Sequence, residues 1–104
     1  MEHRLLMCEV HKNINQISTL NNIQLIDVRT EKEVENTALI DPNTIHIPLD
    51  ILRSRIDELD PNKAYILYCA KGLRGYLASL ILLHNGYKNV TNLDGGFTAW
   101  SKMN

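Results

Sequence analysis

No long hydrophobic run occurs in the sequence. Its aliphatic run Leu80 to Leu83 is far shorter than the roughly 20 residues a membrane-crossing helix requires. Nor does charge of one sign dominate: 11 Lys and Arg are interspersed with 12 Asp and Glu, for a net charge of −1. A basic footprint for nucleic acid is therefore missing. Cysteine is scarce. Cys8 and Cys69 lie far apart, which excludes a disulfide framework and suits a reducing cytoplasm that leaves thiols free for chemistry. The opening residues Met1 to Met7 have an early acid and only a short apolar patch, unlike a signal peptide. Lys71-Gly72 lacks the Gly-x4-Gly-Lys order of a nucleotide P-loop. His3, His11, His46 and His84 lack ligand spacing with either cysteine, so no metal site is expected. Internal repeats and linkers are absent as well, and neither a cofactor nor a membrane or nucleic-acid partner is expected.

What is present is an ordinary globular composition, 44% hydrophobic and 22% charged. A chain of 104 residues is one domain, 1–104, able to bury roughly two-thirds of its unfolded surface, with residues 1–12 an N-terminal extension or edge strand. Residues 13–20 read as a short strand running into one helical turn. Ile23 to Val28 is a strand, and Thr30 with Glu33 has the capping-box spacing of a helix start. Thr44 to Ile47 is a brief strand stopped by Pro48. Asp50 caps a helix through Leu59 with Ile51, Leu52, Ile56 and Leu59 in one stripe. Tyr65 to Cys69 is the central strand. The helix after it carries Leu73, Leu77, Leu80, Ile81 and His84 on one apolar face and ends at Asn85-Gly86. Val90 to Leu93 is a last strand, and Gly95-Gly96 opens a helix from Phe97 to Lys102. Strands alternating with helices predict an α/β fold, a parallel sheet flanked by helices on both faces.

The chain is organised around Tyr65-Ile66-Leu67-Tyr68-Cys69-Ala70-Lys71-Gly72-Leu73-Arg74-Gly75. A strand stopping at Cys69 and a helix starting near Leu73 leave the sulfur at the carboxyl edge of the sheet, with loop N–H groups able to point toward it.

In their order these pieces resemble the rhodanese superfamily of sulfurtransferases. Asp27-Val28-Arg29 with Glu33 resembles its first signature, and Asn43 to Leu49 its Gly-Ala-x-Asn-Ile-Pro-Leu segment. Cys69 to Gly75 resembles its active-site loop and Leu93 to Trp100 its closing motif, so the resemblance runs from about Ile14 to Trp100. The Cys-loop is most similar to that of the rhodanese domains of coenzyme A-disulfide reductases. The resemblance implies a five-stranded parallel sheet. One departure stands out: where the family has Gly-His-Ile, the corresponding residues here are Thr37-Ala38-Leu39, in a segment about two residues longer than usual.

Sulfur transfer needs a thiolate, a cradle for anionic sulfur and an open approach. A helix N-terminus and nearby cations, here Lys71 and Arg74, favour a thiolate. Cys69 is the candidate catalytic residue, forming a persulfide with sulfur from thiosulfate, polysulfide or a persulfide and passing it to a thiol or cyanide. Ala70, Lys71, Gly72, Leu73, Arg74 and Gly75 are the candidate substrate-binding residues. Gly72 should permit a positive φ and Gly75 close packing. Arg74 either contacts an anionic donor or pins the loop to a carboxylate, while Lys71 points outward and attracts anions. Small anionic sulfur donors, thiol or cyanide acceptors, and a protein that gives or receives persulfide are the expected partners.

Two other readings stand beside this one. A carrier or interaction module would accept sulfur on Cys69 without turning over. A phosphatase or arsenate reductase is disfavoured by the spacing, because Cys69 to Arg74 is Cys-x4-Arg, one short of the Cys-x5-Arg phosphate cradle. The plain reading of Cys69 is an inert buried thiol, and that of Lys71 a solvated charge. Asp27 and Arg29 read as structural, with Glu33 a partner for Arg29. Cys8 reads as a passive thiol, His84 as a packed core-edge residue, and Phe97 and Trp100 as core.

Overall fold

A computed structural model describes residue 14 and residues 22–104. Four strands form one sheet: β1 (Ile23–Asp27), β2 (Ile45–His46), β3 (Ala64–Tyr68) and β4 (Val90–Asn92). Their order is β2-β1-β3-β4, and every pairing is parallel. The described residues thus give four strands rather than the five implied by the family resemblance. Residues 1–12, proposed as an extension or edge strand, lie outside the described residues, as do Cys8, His3 and His11. Within the segment 13–20 only Ile14 is described, and it is helical and buried rather than extended.

The sheet is apolar on both faces because its strands are covered on both, as parallel sheets require. Ile26, Val28, Tyr65, Leu67 and Cys69 point into one cluster, closed by Leu52, Leu59, Ala78, Ile81 and Leu82. Leu25, Ile66 and Tyr68 point into the other with Ile14, Ile40 and Leu93, against which Phe97 and Trp100 pack partly buried. The period-two alternation of each strand decides which cluster a residue joins.

Among the described residues four helices have both ends described: α1 (Glu31–Thr37), α2 (Leu52–Arg55), α3 (Leu73–His84) and α4 (Gly96–Met103). At α1 the expected capping box forms, with the Glu33 amide donating to Thr30 Oγ1 at 3.2 Å and the Thr30 amide donating to Glu33 Oε1 at 3.0 Å. The expected Asp50-capped helix through Leu59 is instead one α-helical turn between two 3₁₀ turns, Leu49–Ile51 and Ile56–Glu58. Asp50 makes no side-chain cap there, and Ile51 is exposed, so the stripe loses that member. Among the described residues no helix is long and apolar enough to cross a membrane.

The packed face of α3 also differs from the expected one. Its buried residues are Gly75, Ala78, Ser79, Ile81 and Leu82, whereas Leu73 and Leu77 are exposed and His84 is at the surface rather than at the core edge. Small residues let the helix backbone approach the sheet closely: a Cβ on Gly75 would lie 3.3 Å from Tyr68 Cα. That close approach turns the larger leucines outward.

Strand order places the site. From β1 the chain crosses to β2 on one side, and from β3 to β4 on the other. The carboxyl ends of β1 and β3 therefore flank a topological switch point, where open α/β sheets form their crevices. Cys69 follows β3 directly, and Arg29 lies two residues beyond β1.

Candidate functional site

At the end of β3 the backbone turns through Ala70, Lys71 and Gly72 into α3. Gly72 has φ +129°, a conformation L-residues rarely adopt, so the expected positive φ is present. This turn brings the Gly72 amide to Cys69 Sγ, to which it donates at 3.0 Å. The first amide to bond within α3 is that of Tyr76, to the Gly72 carbonyl at 2.9 Å. Those of Leu73, Arg74 and Gly75 precede it and have no carbonyl inside the helix to satisfy them. Cys69 is only 1% exposed, so the open approach expected at the sheet edge is in fact a closed one. Gly72 folds over the sulfur from one side, and the strand's own packing closes the other.

Two elements hold the loop from behind. The amides of Phe97 and Thr98, in the first turn of α4, donate to the carbonyls of Cys69 at 2.8 Å and Ala70 at 2.9 Å. Gly96 makes this approach possible, since a Cβ there would overlap the Cys69 carbonyl oxygen and lie 2.9 Å from the Ala70 carbonyl carbon. Asn92 at the end of β4 donates through Nδ2 to the Gly72 carbonyl at 3.2 Å. With the Cys69, Ala70 and Gly72 carbonyls engaged by α4 and β4, the Gly72 amide is turned to the sulfur.

The two loop cations have different environments. Lys71 is exposed. Arg74 forms a bidentate pair with Glu33, Nη1 to Oε1 at 2.6 Å and Nη2 to Oε2 at 2.8 Å. Arg74 thus meets a carboxylate, as one of the two expectations for it has it. Glu33 pairs here, not with Arg29. The Arg74 guanidinium, aided by the Thr30 hydrogen bonds and opposed by partial burial, holds the Glu33 carboxyl down at about 2. Glu33 in turn raises Arg74, with a smaller contribution from Cys69.

Asp27 and Arg29 are buried and structural, as their plain reading expects. Arg29 donates to Asp27 through Nε at 3.0 Å and Nη2 at 2.7 Å, to Thr37 Oγ1 at 2.7 Å and to the Ala38 carbonyl at 2.7 Å. Its guanidinium lies 4.2 Å from the Phe97 ring centroid, so a desolvated cation has both a counterion and an aromatic face. Burial, followed by the Asp27 charge, pushes the Tyr68 phenol upward, and its oxygen accepts from the Ile40 amide at 3.1 Å. In the Thr37-Ala38-Leu39 segment the positive φ falls on Ala38, at φ +83° and ψ 175°, so Ala38 stands where a glycine fits best. His46 bonds the Arg29 carbonyl oxygen at 2.7 Å, and among the described residues no cluster of His, Cys, Asp or Glu is arranged to hold a metal ion.

Sequence reasoning missed three contributors. Glu33 was legible as a cap, but its second role toward Arg74 spans 41 residues. Asn92 carried no signal beyond being a polar residue near a strand end. The α4 amides were foreshadowed only by the Gly95-Gly96 pair.

Comparison with known proteins shows a family. The rhodanese-like domain family matches residues 9–103. A sulfurtransferase of Allochromatium vinosum is 29% identical over 87 residues, covering 84% of this chain and 79% of that protein. A tRNA sulfurtransferase of Aliivibrio fischeri is 36% identical over 80 residues, covering 74% of this chain but only 17% of its own length. Among solved structures, reduced Bacillus anthracis CoADR-RHD superposes with a TM-score of 0.78 at 36% identity, over 89% of this chain and 16% of that one.

Proposed function

The chain belongs to the rhodanese-like domain family of sulfurtransferases, and from that premise we propose that it moves sulfane sulfur through a persulfide on Cys69. The observation that carries this reading is the hydrogen bond from the Gly72 amide to Cys69 Sγ, at the mouth of a helix whose first-turn amides are unpaired within it. Such donors strengthen as charge gathers on the sulfur they face.

In the first half-reaction the Cys69 thiolate attacks the outer sulfur of the donor. A bond forms between Sγ and that sulfur as the donor's own S–S bond breaks, and the bonding pair leaves with the remainder: sulfite from thiosulfate, or a thiolate from an organic persulfide. In the second, a thiol or cyanide attacks the terminal sulfur, and the electron pair of the Sγ–S bond returns to Cys69. Neither half needs an outside oxidant or a general base. The amides of Ala70, Lys71, Gly72, Leu73, Arg74 and Gly75 form the cradle, scaled to one sulfur atom rather than to a tetrahedral phosphate. Lys71 adds an exposed positive charge at its edge, and protein persulfide donors or acceptors remain within the same chemistry.

The test is the intact mass of the protein after treatment with thiosulfate or polysulfide, for wild type and Cys69→Ser. A reducible gain of one sulfur atom is expected in the wild type and none in the variant. No gain in the wild type removes the reading. Turnover with cyanide as acceptor then distinguishes an enzyme from a carrier that loads without cycling.

A further inference from the structure

The loop holds two cations, yet only one is available to a ligand in the arrangement described. Both terminal nitrogens of Arg74 are engaged by Glu33, at 2.6 and 2.8 Å. The carboxylate is itself fixed from its own helix, accepting the Thr30 amide at 3.0 Å and the Thr30 hydroxyl at 3.1 Å on Oε1. It is therefore a positioned acceptor rather than a wandering surface acid. About a third of each side chain is exposed, so the pair lies at the protein surface beside the loop. The low value of the Glu33 carboxyl, about 2, keeps the pair intact at any ordinary pH. The first turn of α3 also presents two apolar side chains to solvent, Leu73 at 70% exposed and Tyr76 at 52%.

We propose that Glu33 is a positioning residue that sets donor specificity. By holding Arg74 in a bidentate pair it leaves Lys71 as the one loop cation free at the approach to Cys69, so that the site favours organic persulfides with an apolar carrier group over the dianion thiosulfate. The inference rests on the persulfide reading and narrows its substrate class. Both donors deliver the same atom in balanced steps: RSS⁻ and the thiolate give the enzyme persulfide and RS⁻, whereas thiosulfate gives the enzyme persulfide and sulfite. They differ in what must be accommodated while the bond is exchanged. Thiosulfate brings a sulfonate that gains from a second cation beside Lys71, and a guanidinium already paired offers little to it. An alkyl persulfide asks for an apolar surface, which Leu73 and Tyr76 supply.

Glu33→Gln tests this directly, because glutamine retains an oxygen for the Thr30 amide and so preserves the capping box while releasing Arg74. Loading of Cys69 is followed by quenched intact mass against the concentration of thiosulfate or of propyl persulfide. The variant is expected to load thiosulfate roughly three- to tenfold more efficiently, through tighter binding rather than a faster chemical step, and propyl persulfide within about twofold of wild type. Adding Arg74→Ala to Glu33→Gln should abolish the thiosulfate gain. An unchanged ratio of the two donors, or a gain that survives loss of Arg74, overturns the proposal. A measurement on the wild type alone guards against a folding defect: an approach with a single free cation gives thiosulfate loading a shallow dependence on ionic strength, and a fall of more than about tenfold between low and molar salt refutes it. If neither donor adds sulfur to Cys69, the persulfide reading falls and this inference with it. Propyl persulfide loading without the shift in selectivity removes the inference alone.

Discussion

Ala38→Gly should make the protein more stable, and the structure sets how much. Ala38 has φ +83° and ψ 175°, a region open to glycine and costly for any residue with a Cβ. A non-glycine residue held there costs about 1–3 kcal/mol. Removing the Cβ recovers that strain, against about 0.5–1 kcal/mol for the wider freedom of a glycine in the unfolded chain. Ala38 is exposed, so its methyl group contributes little packing to offset the gain. Both sides of the residue are fixed independently of the methyl: its amide donates to the Val34 carbonyl at 2.7 Å, and its carbonyl accepts from Arg29 at 2.7 Å. The balance is a stabilisation of about 0.5–2 kcal/mol, or about 2–10 °C in Tm for a domain of this size. Urea unfolding should show a higher midpoint with an unchanged slope, and calorimetry the matching rise. A midpoint that is unchanged or lower would refute the strain argument. A changed slope would show that the substitution acts on the unfolded chain instead.

Two further outcomes follow from charges in the structure. Asp27→Asn leaves the Arg29 cation, 2% exposed, without its counterion and should cost about 3–5 kcal/mol in urea unfolding; a loss below about 1 kcal/mol would mean that Thr37, Ala38 and Phe97 satisfy Arg29 without Asp27. Glu33 contributes a pH dependence whose sign is fixed by its depressed value. Because the folded-state carboxyl lies near 2 rather than 4.5, the stability it adds is complete above about 4.5 and is lost as pH falls toward 2. With a third of the pair in solvent, the wild type should exceed Glu33→Gln by about 1 kcal/mol at most near neutrality, and the two should converge on acidification. Divergence at low pH would contradict the pairing.

Much of the fold could be read locally, since strands and caps declare themselves within a few residues. The Thr30–Glu33 box, the β3–loop–α3 junction and the Gly95-Gly96 helix start are of this kind. Where the sequence misleads, the cause is a long-range packing choice. The apolar periodicity of α3 points to Leu73 and Leu77 as buried, but a helix can approach a sheet closely on its smallest residues, and Gly75, Ala78 and Ser79 win that competition. Arg74 shows the same limit in the site: its type and its distance from Cys69 were legible, whereas the carboxylate it meets depends on how β1 and β3 lie side by side. Propensity has no term for either.

The contact between α4 and the loop has a consequence in time as well as in space. Cys69 leaves the ribosome well before Gly96, Phe97 and Thr98, whose backbone turns its loop into shape. A growing chain therefore leaves the Cys69 and Ala70 carbonyls without the Phe97 and Thr98 amides until α4 is made. The shape of the loop is thereby tied to the arrival of α4: Cys69 is made early, but the backbone groups that fix its loop belong to the last helix described.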